Sequence, residues 1–93
     1  MSRFYRIDSP ESSLICFHCP GCGYGHAVRI KGSEPVWQWN GDLNKPTFSP
    51  SLLVNGTWAE KRCHSFIRDG KIQFLGDCFH HLKGQTVEPP EDP

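Results

Sequence analysis

A hairpin signal in the second half of the chain constrains the fold more than any other stretch. Two runs rich in β-forming residues meet at Asp69-Gly70, a dipeptide that accepts the positive φ angles of a two-residue type I′ turn. Because side chains alternate along a strand, the turn also predicts which of them share a face. One face carries Cys63, Ser65, Ile67, Ile72 and Phe74. His64 points to the other face. The thiol of Cys63 and the hydroxyl of Ser65 therefore lie on the apolar face, and the imidazole between them lies on the opposite one.

The other β signals are short apolar runs separated by Gly, Pro and Asn turns. We expect strands over residues 14–17, 27–30, 36–39 and 51–54. Asp77 and Gly84 have the residue types of a helix N-cap and C′ position, so they predict one short helix over residues 78–83. The 93 residues predict a single domain, 1–93, with a compact part over about 4–86 and an exposed tail over 87–93.

Charge and cysteine usage limit the classes of partner and the compartment. Ten Lys and Arg residues balance ten Asp and Glu residues without a basic run, so nucleic-acid binding is not expected. No stretch resembles a signal peptide or a membrane span, so we expect a cytoplasmic protein without a membrane partner. In a reducing cytoplasm, five cysteines predict metal ligands or free thiols rather than disulfides.

The strongest chemical motif is Cys19-Pro20-Gly21-Cys22-Gly23. Two thiols at this spacing, on a chain that glycines allow to curl, form half of a tetrahedral zinc site. A redox pair has the same spacing, but no βαβ pattern surrounds this one. We therefore expect a zinc cofactor. Together with the strand and helix signals, this predicts a mostly β fold, namely a small antiparallel β-sheet domain with a zinc knuckle and one short C-terminal helix.

The other two zinc ligands must come from outside this motif. His26 follows Cys22 by four residues and can fold back onto the same ion, and the face that carries Cys63 should meet the strands that flank the knuckle. We predict the ligand set Cys19, Cys22, His26 and Cys63. Alternative ligands are Cys78, His80 and His81.

A second group of residues has the parts of a hydrolytic triad, which is recognised by geometry rather than by chain order. We predict Ser65 as the nucleophile, with His80 as its base and Asp77 as the carboxylate that orients the base. His64 is predicted as a supporting or replacement base, because adjacent strand residues point in opposite directions and Ser65 cannot pair with it directly. A helix cap would explain Asp77 equally well.

Two further serines, Ser49 and Ser51, flank Pro50. A stiff loop of this kind can present a hydroxyl to a cleft, but it can equally be a plain entry into a strand. The sequence leaves both alternatives open.

Four strings of residues carry a resemblance to a known family. They are W-x-W-N-G-D at 37–42, K-P-T-F-S-P-S-L at 45–52, R-C-H-S-F-I-R-D-G-K-I-Q-F-L-G-D-C-x-H at 62–80 and G-Q-T-V at 84–87. They resemble a family of small phage and prophage proteins of unassigned function, some labelled ammonia monooxygenase. Related domains resemble the peptidase-like component found beside bacterial ubiquitin-like conjugation genes. The resemblance spans about residues 15–88.

The resemblance implies a set of site residues and a chemistry. Its pattern covers Cys19, Cys22, His26, Ser49, Ser51, Cys63, His64, Ser65, Asp77 and His80. It implies a hydrolase of the peptidase type, dependent on serine or zinc, that acts on a peptide or a ubiquitin-like conjugate linkage, in the host cytoplasm if the protein is phage-encoded. The alternative function is a non-enzymatic zinc-binding phage adaptor, or an inhibitor of a host protein. Whether the protein is an enzyme, and its oligomeric state, are left open at this point.

Overall fold

The computed structural model describes residues 3–91, and every regular element in this part of the chain is a β-strand. The strands pair in three antiparallel sheets, which confirms the predicted mostly β, antiparallel class. The strands are β1 (Tyr5–Asp8), β2 (Ser13–His18), β3 (Gly25–Lys31), β4 (Gln38–Trp39), β5 (Phe48–Ser49), β6 (Leu52–Val54), β7 (Cys63–Arg68), β8 (Lys71–Phe74) and β9 (Thr86–Val87).

The N-terminal sheet has three strands in the order β1-β2-β3. The central strand β2 is the most buried of the three, and its Ile15 and Phe17 side chains enter the core. The connection from β2 to β3 is the Cys-rich loop, residues 19–24, so the thiols of Cys19 and Cys22 lie at one end of this sheet.

The C-terminal sheet has four strands in the order β6-β7-β8-β9, and it is organised around the predicted hairpin. Asp69 and Gly70 have φ angles of 53° and 77°, as a type I′ turn requires. Ser65 pairs with Phe74, as the two-residue loop predicts. The five side chains assigned to one face are all buried. The hairpin register and its buried face are therefore confirmed.

One hydrophobic core lies between the N-terminal and C-terminal sheets. Its largest contributions from the first sheet are Ile15, Phe17 and Val28, and those from the second are Ile67, Ile72 and Phe74. The short β4–β5 pair precedes β6, and the indole Nε1–H of Trp37 donates a 3.3 Å hydrogen bond to the carbonyl of Ser51. This bond holds the backbone that enters β6.

The helix predicted over residues 78–83 is wrong: within the described chain this segment forms consecutive turns. Its backbone bonds span three residues rather than four, from Lys83 N–H to the His80 carbonyl at 3.2 Å and from Gln85 N–H to the Leu82 carbonyl at 3.0 Å. A segment this short has little helical stability of its own. Its polar groups bond elsewhere instead, since the Phe79 N–H donates to the Arg62 carbonyl.

The last described part of the chain returns to the sheet. Thr86 and Val87 form β9 and pair with Gln73 and Ile72 of β8, and Pro89 is fully buried. Packing thus extends at least to Pro89. Prolines after the strand cannot donate ladder hydrogen bonds, which accounts for the short length of β9.

Candidate functional site

The face of the C-terminal sheet that points away from the core carries a serine next to a histidine. Ser51 directly precedes β6, in which Leu53 points outward and is 52% exposed. Leu53 lies opposite His64 of β7, so Ser51 and His64 reach the same face. The Ser51 Oγ lies 2.9 Å from the His64 Nε2, within hydrogen-bond distance.

The turn after β8 brings a carboxylate to the other nitrogen of the same imidazole. Asp77 Oδ2 lies 3.2 Å from His64 Nδ1. A carboxylate can only accept, so Nδ1 is the nitrogen that donates to Asp77, and in the neutral imidazole this leaves Nε2 to accept from the Ser51 hydroxyl. The side chains of His64 and Asp77 are 26% and 44% exposed, so the group is open to a substrate. Ser51, His64 and Asp77 together have the connectivity of a Ser-His-Asp triad.

Two residues predicted to be catalytic lie elsewhere in the fold. Ser65 is only 2% exposed and sits on the core-facing side of β7, between Leu52 and Phe74 in the sheet register. His80 is 6% exposed and its ring packs edge-on against Phe74, in the core. The structure therefore brings His64 and Asp77 of the predicted group together at the surface, and it buries Ser65 and His80.

A second cluster lies on the opposite, buried side of β7. The donor atoms of Cys19, Cys22, Cys63 and His80 all lie within 4.8 Å of one another. Cys63 is the first residue of β7, and His80 lies in the turn segment that follows β8. The Cys-rich loop supplies the other two thiols.

Backbone hydrogen bonds give the Cys-rich loop its curled shape. The Gly23 N–H donates to the Cys19 carbonyl at 2.9 Å, and the Cys19 N–H donates to the Tyr24 carbonyl at 3.0 Å. The Cys22 N–H points at the Cys19 Sγ from 3.4 Å, as expected for a donor that stabilises a thiolate. All five cysteines are free thiols, so no disulfide competes for these sulfur atoms.

The spacing of the cluster fits a tetrahedral metal. Zn–S bonds of about 2.3 Å and Zn–N bonds of about 2.0–2.1 Å place the two donor atoms about 3.6 Å apart. Cys63 Sγ and His80 Nε2 are 3.5 Å apart. Gly21 lies flat against the His80 ring, where any Cβ would collide with the imidazole atoms. The glycine is thus needed for His80 to enter the cluster.

The electrostatics of the three thiols also favour a cation. A hydrogen bond with Cys63, helped by His26, lowers the pKa of Cys19 to about 3. Burial and the Cys19 charge raise the pKa of Cys22 to about 11, and the hydrogen bond with Cys19 raises the pKa of Cys63. Without a cation, therefore, one thiolate suppresses ionisation of the other two, whereas a divalent metal stabilises all three.

The imidazole of His80 is suited to the same cluster. Burial lowers the pKa of His80, which keeps the ring in the neutral form that binds metals. His80 is among the alternative ligands predicted from the sequence, which predicts it first as a base. His80 lies 17 residues after Cys63 in the sequence, and this separation matches no standard metal-binding motif. The sequence spacing alone therefore does not identify His80 as a ligand.

His26, predicted as a ligand, is not part of this four-residue cluster. It lies in β3, opposite Phe17, and its ring packs edge-on against Phe17 and Tyr24. The chain enters β3 at Gly25, so the strand register sets the position of His26 opposite Phe17. His26 remains near enough to Cys19 to help lower its pKa.

Ser49, the other serine beside Pro50, lines a shallow depression at the surface of the β4–β5 pair. The depression has a volume of about 250 Å³. Its lining residues are Gln38, Trp39, Asn40, Thr47, Phe48 and Ser49. Ser49 is exposed there, and Ser51 is the serine that contacts His64.

The fold and site define an antiparallel β protein with a Ser-His-Asp group on one side of a sheet and a Cys₃His cluster on the other. A family model described as "Bacterial ubiquitination-like system serine protease (BubE)" matches residues 1–75. The chain belongs to this BubE family, which confirms the expected relation to the peptidase component of ubiquitin-like operons. The match contains Ser51 and His64 and ends before Asp77 and His80, whose places rest on the structure.

The other comparisons add no relative. No curated protein and no solved structure matches the chain. Among residues 3–91, no helix is long and apolar enough to cross a membrane.

Proposed function

We propose that this protein is a serine hydrolase of the peptidase type that cleaves a peptide or ubiquitin-like conjugate linkage. The observation that carries the proposal is the unbroken line of contacts from Ser51 Oγ through both nitrogens of His64 to Asp77. The family description, a serine protease of a ubiquitination-like system, supports the same chemistry and suggests the substrate.

Each residue has one role in the proposed reaction. His64 Nε2 accepts the hydroxyl proton as Ser51 Oγ attacks the acyl carbon, and the Nδ1–H remains directed at Asp77. The imidazolium then returns that proton to the leaving amine, which leaves an acyl ester on Ser51. Water, deprotonated by the same nitrogen, hydrolyses the ester and restores the serine hydroxyl. Asp77 stabilises the imidazolium and fixes the ring orientation.

This assignment differs from the sequence-based one in its nucleophile. Ser65 lies on the buried side of β7, where a substrate carbonyl has no access. Ser51 lies on the open side together with His64. We therefore assign the attack to Ser51 and keep His64 and Asp77 from the predicted group.

We further propose zinc as the resident metal, held by Cys19, Cys22, Cys63 and His80. Three thiolates and one neutral imidazole suit the borderline-soft Zn²⁺ ion. Four protein donors fill a tetrahedral shell, which supports a structural metal rather than one that activates water. His80 replaces His26 in the ligand set, because His80 shares the cluster and His26 does not.

A fluorophosphonate probe tests the nucleophile directly. We expect intact mass spectrometry to show one label on the wild-type protein and none on Ser51→Ala. Ser49→Ala is the matched control, since it removes an exposed hydroxyl two residues away and should label normally. Ser51→Ala should also lower the cleavage of a C-terminal amide of a ubiquitin-like protein by roughly 10⁴-fold or more.

Two other labelling results would contradict the assignment of Ser51 as the nucleophile. If Ser65→Ala loses the label and Ser51→Ala keeps it, Ser65 on the buried face is the nucleophile and the assignment to Ser51 is wrong. An unlabelled wild-type protein with its metal bound would favour the non-enzymatic zinc-binding adaptor.

A further inference from the structure

Cys78 makes an unusual pair of contacts that neither the triad nor the metal cluster accounts for. Its Sγ accepts a hydrogen bond from the backbone N–H of His64 at 3.2 Å. The same sulfur donates to the backbone carbonyl of His64 at 3.1 Å. One buried side chain thus bonds both polar groups of one residue, and that residue carries the proposed base.

The ladder between β7 and β8 explains why these contacts are needed. The Leu75 N–H donates to the His64 carbonyl at 2.9 Å, just after β8 ends at Phe74. In an antiparallel pair, the reciprocal bond would run from the His64 N–H back to residue 75. The chain turns away there, and the His64 N–H goes to Cys78 Sγ instead. The thiol therefore satisfies a backbone donor that the end of the strand leaves without a ladder partner.

The position of Cys78 also links two members of the proposed site, His64 and Asp77. Asp77 is its neighbour in the chain, so their Cα atoms are about 3.8 Å apart. A bond from Cys78 to the His64 peptide therefore fixes the distance between the backbones of Asp77 and His64. Their side-chain contact of 3.2 Å is already at the long end of the hydrogen-bond range, so a small displacement would break it.

We propose that Cys78 is a positioning residue for the His64–Asp77 pair. It does not touch the substrate and does not belong to the metal cluster. It holds the His64 backbone in the register that lets Nδ1 meet Asp77 and Nε2 meet Ser51. This inference rests on the proposed hydrolase function only for its kinetic consequence.

The test compares three variants of the full-length, metal-loaded protein. Cys78→Ala removes both bonds, whereas Cys78→Ser retains a group that can accept and donate in the same way. Cys16→Ala is the matched control, because Cys16 is a buried thiol of β2 outside the metal cluster. Metal content and melting temperature are measured for each variant to separate folding from positioning.

The first readout needs no activity. The ¹⁵N shifts of the His64 imidazole report which nitrogen carries the proton, and the Nδ1–H signal reports its bond to Asp77. We expect Cys78→Ala to lose the protected Nδ1–H signal and to populate both tautomers. Cys78→Ser and Cys16→Ala should keep the wild-type spectrum.

The second readout is kinetic. A misplacement of about 1 Å can cost about 10²-fold in rate, so we expect Cys78→Ala to lower kcat by about 10- to 100-fold with little change in KM. Cys78→Ser should stay within about three-fold of wild type, because the serine hydroxyl can accept from the His64 N–H and donate to the His64 carbonyl as the thiol does. A folded, metal-loaded Cys78→Ala protein with a wild-type His64 spectrum would overturn the proposal. If the wild-type protein cleaves no acyl substrate, the hydrolase function fails, and the spectrum still decides the role of Cys78.

Discussion

Gly21→Ala is the substitution for which the structure gives the sharpest expectation. A Cβ at this position would lie 2.5 Å from His80 Nδ1 and closer still to two other ring atoms. Ordinary contact begins at 3.4 Å, so the imidazole would have to move by about 1 Å. Metal–ligand distances tolerate about 0.2 Å, so His80 could not stay in the cluster. One added methyl group should therefore weaken metal binding without substituting any of the four ligand residues.

The size of the effect has two parts. Loss of a supporting contact of a metal ligand already costs about 10- to 100-fold in affinity, or about 1.4–2.7 kcal/mol, so displacement of the His80 ligand itself should cost at least this much. Overpacking a buried ring costs about 1–3 kcal/mol of folding free energy. We expect a zinc chelator titration to show the first loss, and thermal unfolding with and without added zinc to show the second.

Gly25→Ala is the matched control for Gly21→Ala. A Cβ at Gly25 would meet only the Phe17 carbonyl at 3.7 Å, which is ordinary contact. Its zinc affinity should equal that of wild type. If Gly21→Ala binds zinc as tightly as Gly25→Ala and unfolds at the same temperature, then His80 is not a ligand and the Cys₃His assignment is refuted.

Two further predictions follow from the same geometry. Removing the metal with a chelator should lower the free energy of unfolding by about 2.7 kcal/mol, compared with the protein in free zinc at 100 times the Kd. Scanning calorimetry should show this loss as a decrease of about 10–20 °C in Tm, and an unchanged Tm would contradict a structural metal. Asp77→Asn should lower kcat by about 10³- to 10⁴-fold, because an amide N–H facing Nδ1 favours the wrong tautomer of His64. Glu60→Gln, at an exposed position, should leave kcat unchanged in the same steady-state assay, and equal rates for both variants would remove Asp77 from the site.

The features that the sequence predicted well are those with local causes. The Asp69-Gly70 turn fixes the hairpin register through its own φ angles, and alternation then assigns the faces. From that face assignment, Cys63 was predicted to meet the thiols of the Cys-rich loop, and the structure places all three in one cluster. Each of these steps uses only turn chemistry and a period of two.

The features that the sequence left open depend on pairings between separate segments. Ser51 reaches His64 only because β6 pairs with β7 in one particular register, over a separation of 13 residues. Nothing near Ser51 distinguishes it from Ser49 before that register is known. The predicted helix failed for a related reason. Asp77 has the type of an N-cap residue, but its carboxylate bonds to the imidazole of His64 on β7.

The order Cys63-His64 on β7 explains why the hairpin needs its mixture of polar and apolar residues. Strand alternation sends the Cys63 thiol into the buried cluster and the His64 imidazole onto the open face. The turn after β8 also contributes one residue to each face, because Asp77 contacts His64 on the open face and His80 joins the buried cluster. A slip of one residue in β7 would exchange the two faces, expose the thiol and bury the base. The metal cluster and the proposed triad therefore depend on the same strand register, and a metal that secures Cys63 also secures the place of His64.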